Sequence, residues 1–440
     1  MIESTLQGRI DQMRNRLADA SLVSHYGHVH QVCGLVIEAI GPNLAIGDMC
    51  EIETRDGGAV LAEVVGFRDN KMLLMPLGDL NQIAPGSRVS AANHQLALPN
   101  PEAAVGRIID AMGNPIDGKG PLSTTPGSSI NGAAPSPLER MPISDCFTTG
   151  VRAIDLFVPV GRGQRLGIFA GSGVGKSTLL GMLARGSESD INVVALIGER
   201  GREVREFVES ALDEEALKRT VIVVSTSDQP AMLRLRAAFL ATSLAETYRD
   251  EGRNVLFLMD SVTRFAMAQR EIGLSVMEPP ASRGYPPSVF SMLPRLLERT
   301  GNSANGTITA LYTVLVEGDD MNEPITDAVR GILDGHIVLS RKIATSNIFP
   351  AIDVLESISR LNTVISTDEE LELVAKARQL LALYRDNEDL INIGAYAKQG
   401  NERVNEAIEK RGHIMDLIQQ KQYEQCDRAE SYAKLKQIVA

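Results

Sequence analysis

The 440-residue chain has no tryptophan, and aromatic residues make up only 4% of it. A surface that reads nucleic acid by stacking bases on aromatic rings is therefore poorly supplied. Positive charge is also short: 44 Lys and Arg stand against 56 Asp and Glu, a net charge of −12, which argues against a phosphate backbone as the main partner. Cysteines are few and scattered. Cys33, Cys50, Cys146 and Cys426 show no C-x-x-C spacing, so neither a zinc site nor a disulfide framework is expected, and the thiols are expected to be reduced in a cytoplasm. Long apolar runs are missing too. Without a stretch of 18 apolar residues or an apolar N-terminal core, nothing here reads as secreted or membrane-spanning. What remains is a globular composition, 44% hydrophobic, long enough for two or three domains.

The most informative stretch is Arg165-Leu-Gly-Ile-Phe-Ala-Gly-Ser-Gly-Val-Gly-Lys-Ser-Thr-Leu-Leu-Gly-Met-Leu183. An apolar run of buried-strand length is followed by a glycine-rich loop and a helical segment, the pattern of a phosphate-binding loop. Gly171, Gly173 and Gly175 leave backbone N–H groups bare, and Ser172 and Val174 complete the curl. Lys176 is placed to reach the β- and γ-phosphates of ATP and Ser177 to hold Mg²⁺, while Thr178 opens a helix whose positive end adds to the site. Ala170 stands where the general pattern has its first glycine, which matters little because the tight part of the loop runs from Gly173 to Lys176.

Around this loop the chain divides into four. In residues 1–24, Ile2, Leu6, Ile10, Met13 and Leu17 recur at helical spacing. The stripe faces either the chain's own core or a partner helix, and the partner is favoured because a terminal helix with no helical neighbour has little of its own to pack on. Residues 25–92 switch to strand periodicity at Val29 to Ile40, Met49 to Thr54, Ala59 to Phe67, Met72 to Met75 and Arg88 to Ala91. Five or six short strands predict a small closed barrel, and its poverty in aromatics and cations favours a structural, ring-forming use. Residues 93–366 alternate strands and helices as a parallel sheet requires, after a surface loop over 118–137. Residues 367–440 read as helices, opened by a capping box at Thr367 and Glu370 and broken near Gly394 and Gly400.

Two further strand ends carry carboxylates suited to the loop. Val255-Leu-Phe-Leu-Met259 delivers Asp260, a carboxylate placed to orient Mg²⁺. Ile191-Asn-Val-Val-Ala-Leu-Ile197 runs into Gly198-Glu199-Arg200-Gly201. There Glu199 suits the polarisation of an attacking water, a contribution of about 10²–10⁴ in rate, and Arg200 suits the γ-phosphate. The plainer alternatives are an N-cap at Asp260 and a Glu–Arg pair closing a strand end.

These segments, together with Pro350-Ala-Ile-Asp-Val-Leu-Glu-Ser-Ile-Ser359, resemble the catalytic subunits of rotary F-type and V-type ATPases. Asp260-Ser-Val-Thr-Arg264, Arg283-Gly-Tyr-Pro-Pro-Ser-Val-Phe290, Tyr312-Thr-Val-Leu-Val-Glu-Gly-Asp-Asp320 and Asp334-Gly-His-Ile-Val-Leu-Ser-Arg341 look more like the flagellar and type III secretion export ATPases. Phe169-Ala-Gly-Ser-Gly-Val-Gly-Lys176 and Ile393-Gly-Ala-Tyr-Ala-Lys398 favour the flagellar member over the virulence one. The resemblance implies an α/β fold: a RecA-like P-loop domain with a parallel sheet, preceded by a small β-barrel and followed by a helical domain. It implies Mg²⁺ and ATP at Lys176, Ser177, Glu199, Arg200 and Asp260, with Phe349 stacking on adenine. Arg360 is implied as a finger given to the neighbouring subunit, worth about 10³–10⁵ in rate. A homo-hexamer is implied too, with a stalk-like protein in its pore facing the loop Glu278 to Pro287. Export-gate membrane proteins, export substrates and chaperones complete the implied partners, at the cytoplasmic face of an inner-membrane apparatus. One departure stands out: Ala395 to Asn401 lacks the acidic run with which a synthase subunit touches its stalk. The competing readings are a rotary synthase subunit, a Rho-like nucleic-acid translocase and an inactive scaffold. The barrel's few cations, Arg55, Arg68, Lys71 and Arg88, speak against the translocase, and the intact loop lysine and carboxylates against the scaffold.

Overall fold

The computed structural model describes residues 25–92, 98–125, 130–392 and 401–439, and the amphipathic N-terminal stripe and the break between Gly394 and Gly400 lie outside them. Two compact units divide at Gln95 and Leu96. Among the described residues no helix is long and apolar enough to cross a membrane.

The first unit is a closed six-stranded barrel: β1 (Tyr26–Cys33), β2 (Val36–Ile40), β3 (Met49–Glu53), β4 (Ala59–Arg68), β5 (Lys71–Pro76) and β6 (Arg88–Ala91), paired in the order β1-β2-β5-β4-β3-β6. The period-two pattern sends Val29, Ile37, Ala39, Ile52, Val64, Leu74 and Val89 into one core. The stretch expected as one strand from Val29 to Ile40 is a hairpin, because Gly34 turns back at φ 61°. Three of its cations have partners within it: Lys71 Nζ lies 3.0 Å and Arg68 3.9 Å from the buried Glu38, and Arg88 covers the Tyr26 ring.

The second unit is built on an eight-stranded sheet. In chain order its strands are β7 (Ile108–Asp110), β8 (Arg165–Ala170), β9 (Ile191–Glu199), β10 (Thr220–Thr226), β11 (Asn254–Asp260), β12 (Thr307–Leu315), β13 (Gly335–Leu339) and β14 (Ile358–Ser359). They lie in the order β14-β13-β8-β12-β11-β9-β10-β7, all parallel except β14. Near-continuous burial along β9, β10 and β11 is what a sheet covered on both faces demands. Helix α1 (Lys176–Gly186) follows the phosphate loop. Helix α2 (Ala231–Asp250) packs on β9, β10 and β11, and its alanines 237, 238, 241 and 245 allow close approach. Helix α3 (Val262–Ser275) packs on β9 and β12, and α4 (Pro287–Leu297) packs on α3.

The described residues of the glycine- and proline-rich stretch from 118 to 137 are mostly exposed, as expected of a surface loop, and the stretch is tied down at two points. Thr124–Thr125 pairs with Leu98–Pro99, and the Ile130 carbonyl accepts a bond from Arg299 Nη1 at 2.9 Å. Arg299 is only 2% exposed, and its fork also grips both Glu246 carboxylate oxygens, at 2.8 and 2.5 Å, and Ser243 Oγ at 2.9 Å.

The capping box is present, with Thr367 N donating to Glu370 Oε2 at 2.9 Å and Glu370 N to Thr367 Oγ1 at 3.3 Å. It opens three helices: α5 (Asp368–Asn392), α6 (Glu402–Ile418) and α7 (Arg428–Val439). Val374, Leu381, Ile414, Leu435 and Val439 share one core with Phe157, Leu183 and Leu339, so the change to helices near residue 366 is not a break in packing. Arg152 Nη1 donates to the Leu417 carbonyl at 2.8 Å and Arg378 Nη2 to the Phe157 carbonyl at 2.7 Å, across the same seam.

Removing Arg299 strands a buried carboxylate and frees the 130 region. Arg299→Ala is expected to cost about 3–5 kcal/mol in the second unit, read as a lowered denaturant midpoint by circular dichroism. An unchanged midpoint would show that the cluster is not structural.

Candidate active site

The site forms where the chain leaves the carboxyl ends of the central strands, the place at which parallel sheets expose loops to ligands. Strand β8 lies between β13 and β12, and its end releases the loop from Gly171 to Gly175. Gly173 and Gly175 take φ of 76° and 89°, left-handed values that a side chain resists. Val174 is buried and anchors the loop, while Ser172 and Ser177 are exposed. Lys176 begins α1.

Three strand ends converge on that lysine. Its Nζ lies 2.5 Å from Asp260 Oδ1, at the end of β11, and 3.2 Å from Glu199 Oε1, at the end of β9. Thr313 on β12 donates its hydroxyl to the same Asp260 oxygen at 2.6 Å. Burial works against the ammonium, but the charges of Asp260 and Glu199 outweigh it and raise the Lys176 pKa above its ordinary value. Burial, with the Asp260 charge beside it, pushes the Glu199 carboxyl up to about 7. Glu203 shares a hydrogen bond with Glu199, which raises Glu199 and lowers Glu203. An acid titrating near neutrality beside a phosphate-binding loop is poised for proton transfer.

A cavity of about 880 Å³ opens over these groups, lined by the loop, Ser177, Thr178, Glu199 and Arg200 among others. A second, of about 640 Å³, meets it at Gly175 and Thr178 and is walled by Met182, Phe349 and Pro350. The Phe349 ring passes over Gly175, where an added Cβ would lie 3.5 Å from its edge. Gln420 holds this wall in place. Its backbone N–H donates to the Phe349 carbonyl at 3.0 Å, its Oε1 accepts from Arg152 N at 2.9 Å, and its Nε2 donates to the Gly150 carbonyl at 2.9 Å. The C-terminal helices thus help to build the second cavity.

The expected residues do not all meet. Lys176, Ser177, Glu199 and Arg200 line the first cavity, with the Arg200 side chain largely in solvent and 3.6 Å from Glu203, while Asp260 is buried and meets the site through its 2.5 Å contact with Lys176. Arg360 lines neither cavity; it is exposed, and its Nη2 donates to the Arg330 carbonyl at 3.2 Å. Arg264 was not anticipated. It stands one turn into α3, packs its stem against Gly198 and lines the first cavity. Its place one helical turn after Asp260, in Asp260-Ser-Val-Thr-Arg264, was the available signal. The donor set fits Mg²⁺. Among the described residues no three acidic, histidine or cysteine side chains group as a cage, whereas one exposed hydroxyl and one carboxylate suit a cation that keeps water and phosphate oxygens as its other ligands.

Known proteins share this arrangement. Residues 150–359 match the nucleotide-binding domain of the ATP synthase alpha/beta family, and residues 29–93 match that family's beta-barrel domain. Residues 366–437 match the T3SS EscN ATPase C-terminal domain. The chain belongs to the ATP synthase alpha/beta family, in its flagellar and type III secretion branch. The flagellum-specific ATP synthase of Bacillus subtilis is 53% identical over 94% of this chain and 95% of its own length. The type 3 secretion system ATPase of Xanthomonas euvesicatoria is 46% identical, over 96% and 94%. The assembled ATPase EscN of enteropathogenic E. coli superimposes with a TM-score of 0.89 at 44% identity, covering 94% of this chain and all of that one. EscN in complex with its central stalk EscO gives 0.86 at 43% identity, with the same coverage. The match to that nucleotide-binding domain supports ATP binding by this chain.

The raised Glu199 fixes a pH dependence. Protonation of Glu199 in the folded chain favours folding at low pH, a contribution complete below its ordinary 4.5 and lost as pH rises through about 7. Activity that needs the ionised base runs the other way. The kcat/KM for ATP is expected to climb about tenfold per pH unit up to about 7 and then level. A flat profile from pH 5.5 to 8 would remove Glu199 from the role.

Proposed function

We propose that this chain hydrolyses Mg²⁺-ATP as a ring-forming ATPase that energises export of flagellar proteins through a type III secretion apparatus. The observation that carries the reading is the Lys176 bridge between Asp260 and Glu199, which holds a cation, a metal-orienting carboxylate and a base together at the cavity beside a glycine-rich loop, Asp260 lying buried beneath Lys176. Lys176 turns from its carboxylates to the β- and γ-phosphates as ATP enters, while bare loop N–H groups hold the remaining oxygens. Ser177 and Asp260 would hold Mg²⁺, which when bound supplies neutralisation of phosphate charge. Glu199, relieved of Lys176, accepts the proton of the attacking water. Arg200 swings from Glu203 toward the γ-phosphate, and Phe349 stacks on adenine in the second cavity.

Arg360, remote from its own chain's cavities, is assigned to a neighbour's phosphate in a homo-hexamer. EscN is known as an assembled ATPase and with a central stalk, which supports a ring here and a stalk in its pore. The loop from Glu278 to Pro287 is assigned to that pore; it is braced by Glu278 Oε1, which accepts from Ser288 N at 2.8 Å. Residues 1–24 are assigned to a regulatory partner, and the assembly to the cytoplasmic face of an inner-membrane gate that receives substrates and their chaperones. The greater identity to the Bacillus flagellar protein than to the Xanthomonas secretion ATPase favours the flagellar system, with a virulence system as the second reading.

Two experiments test this. Lys176→Ala and Glu199→Gln are both expected to abolish turnover, but only the first to weaken ATP binding strongly, since Lys176 meets ground-state phosphates and Glu199 the water. Equal loss of affinity in a binding titration would overturn the assignment of the base. Mixing Arg360→Ala with Lys176→Ala subunits is expected to restore part of the turnover at mixed interfaces. Constant specific activity on dilution to a demonstrated monomer would rule out a finger in trans.

A further inference from the structure

The two strands flanking β8 each send a charged side chain over the start of the phosphate loop. On one side Ala170 is in register with Leu339 of β13, and two residues further on lies Arg341. On the other side Ala170 is in register with Leu315 of β12, and four residues further on lies Asp319. The chain bends back there through left-handed residues, Gly318 at φ 62° and Asp319 at φ 61°. Both side chains meet above Gly171, where an added Cβ would lie 3.0 Å from Arg341 Nη2 and 3.0 Å from Asp319 Oδ1. Arg341 Nε is 3.9 Å from Asp319 Oδ2, and both side chains are more than half exposed. Arg341 also lines the 880 Å³ cavity. The Asp319 loop is moored on its far side, where Asp320 Oδ2 accepts from Arg283 Nη2 at 3.1 Å.

We infer that Arg341 is a further phosphate-binding cation of the nucleotide site, for which Asp319 and the phosphates of ATP compete. This rests on the nucleotide reading above. An exposed ion pair of this separation is weak, so a polyphosphate at the loop outcompetes a single carboxylate for the guanidinium. A planar guanidinium suits two phosphate oxygens at once, and Gly171 is what lets it lie against the loop backbone. Since Arg341 borders the phosphate cavity and not the one walled by Phe349, its effect grows with the number of phosphates.

The test is titration of the full-length protein with fluorescent analogues of ATP and ADP, with folding checked by circular dichroism. Arg341→Ala is expected to raise the Kd for the ATP analogue by about tenfold or more and that for the ADP analogue by less, with Arg341→Lys recovering part of the loss. Asp319→Asn is expected to act in the opposite sense, tightening ATP by about two- to fivefold, and the double variant to behave as Arg341→Ala. Unchanged affinity in a folded Arg341→Ala protein would overturn the inference, as would weakening by Asp319→Asn, which would make the pair a structural brace. Lys176→Ala serves as the control: if it too leaves affinity unchanged, the nucleotide reading fails and the inference with it.

Discussion

Three charges share one small volume at the centre of this molecule, and the rest of the site is arranged around keeping them there. Lys176 is drawn from solvent to lie between Asp260 and Glu199. A buried cation is costly to leave unpaired, and so are two buried carboxylates, so each partner makes the others tolerable. The balance is uneven. Asp260, with the shorter contact to Lys176 and a hydroxyl from Thr313, is the better satisfied, while Glu199 keeps a raised pKa and a second carboxyl beside it. One carboxylate is thus closely paired and the other less so, which separates a metal-orienting role from a proton-accepting one.

That cluster depends on strand order. Lys176 follows β8, Thr313 lies on β12, Asp260 ends β11 and Glu199 ends β9, four adjacent strands contributed by widely separated parts of the chain. Parallel pairing brings all four carboxyl ends to the same edge of the sheet, so polar groups can gather where the apolar core stops. The same geometry brings Arg341 and Asp319 beside Gly171 from β13 and β12.

The base-side wall is a different construction. Phe349 stands clear of the sheet and is held through its carbonyl by Gln420, whose side chain is itself bonded to Gly150 and Arg152. A segment from the C-terminal helices therefore fixes a residue next to the phosphate loop, and the shared core makes movement of those helices a movement of the cavity wall.

Much of this was legible in the residues. A glycine-rich loop after an apolar run, a carboxylate ending each of two buried strands and alternation at period two all follow from local chemistry, so the loop, Asp260, Glu199 and the barrel could be placed by inspection. The Gly34 hairpin was missed because strand periodicity continues on both sides of it. The mooring of residue 130 was invisible because its partner, Arg299, lies far along the chain. Gln420, Arg341 and Asp319 were beyond reach for the same reason: nothing in the spacing of a lone arginine, glutamine or aspartate says which strands will be neighbours. The sequence by itself determined which chemical groups the site would use, because phosphate binding requires bare backbone and particular charges in adjacent residues. Only the tertiary structure decided which of those charges meet, because strand order is set by packing across the whole sheet.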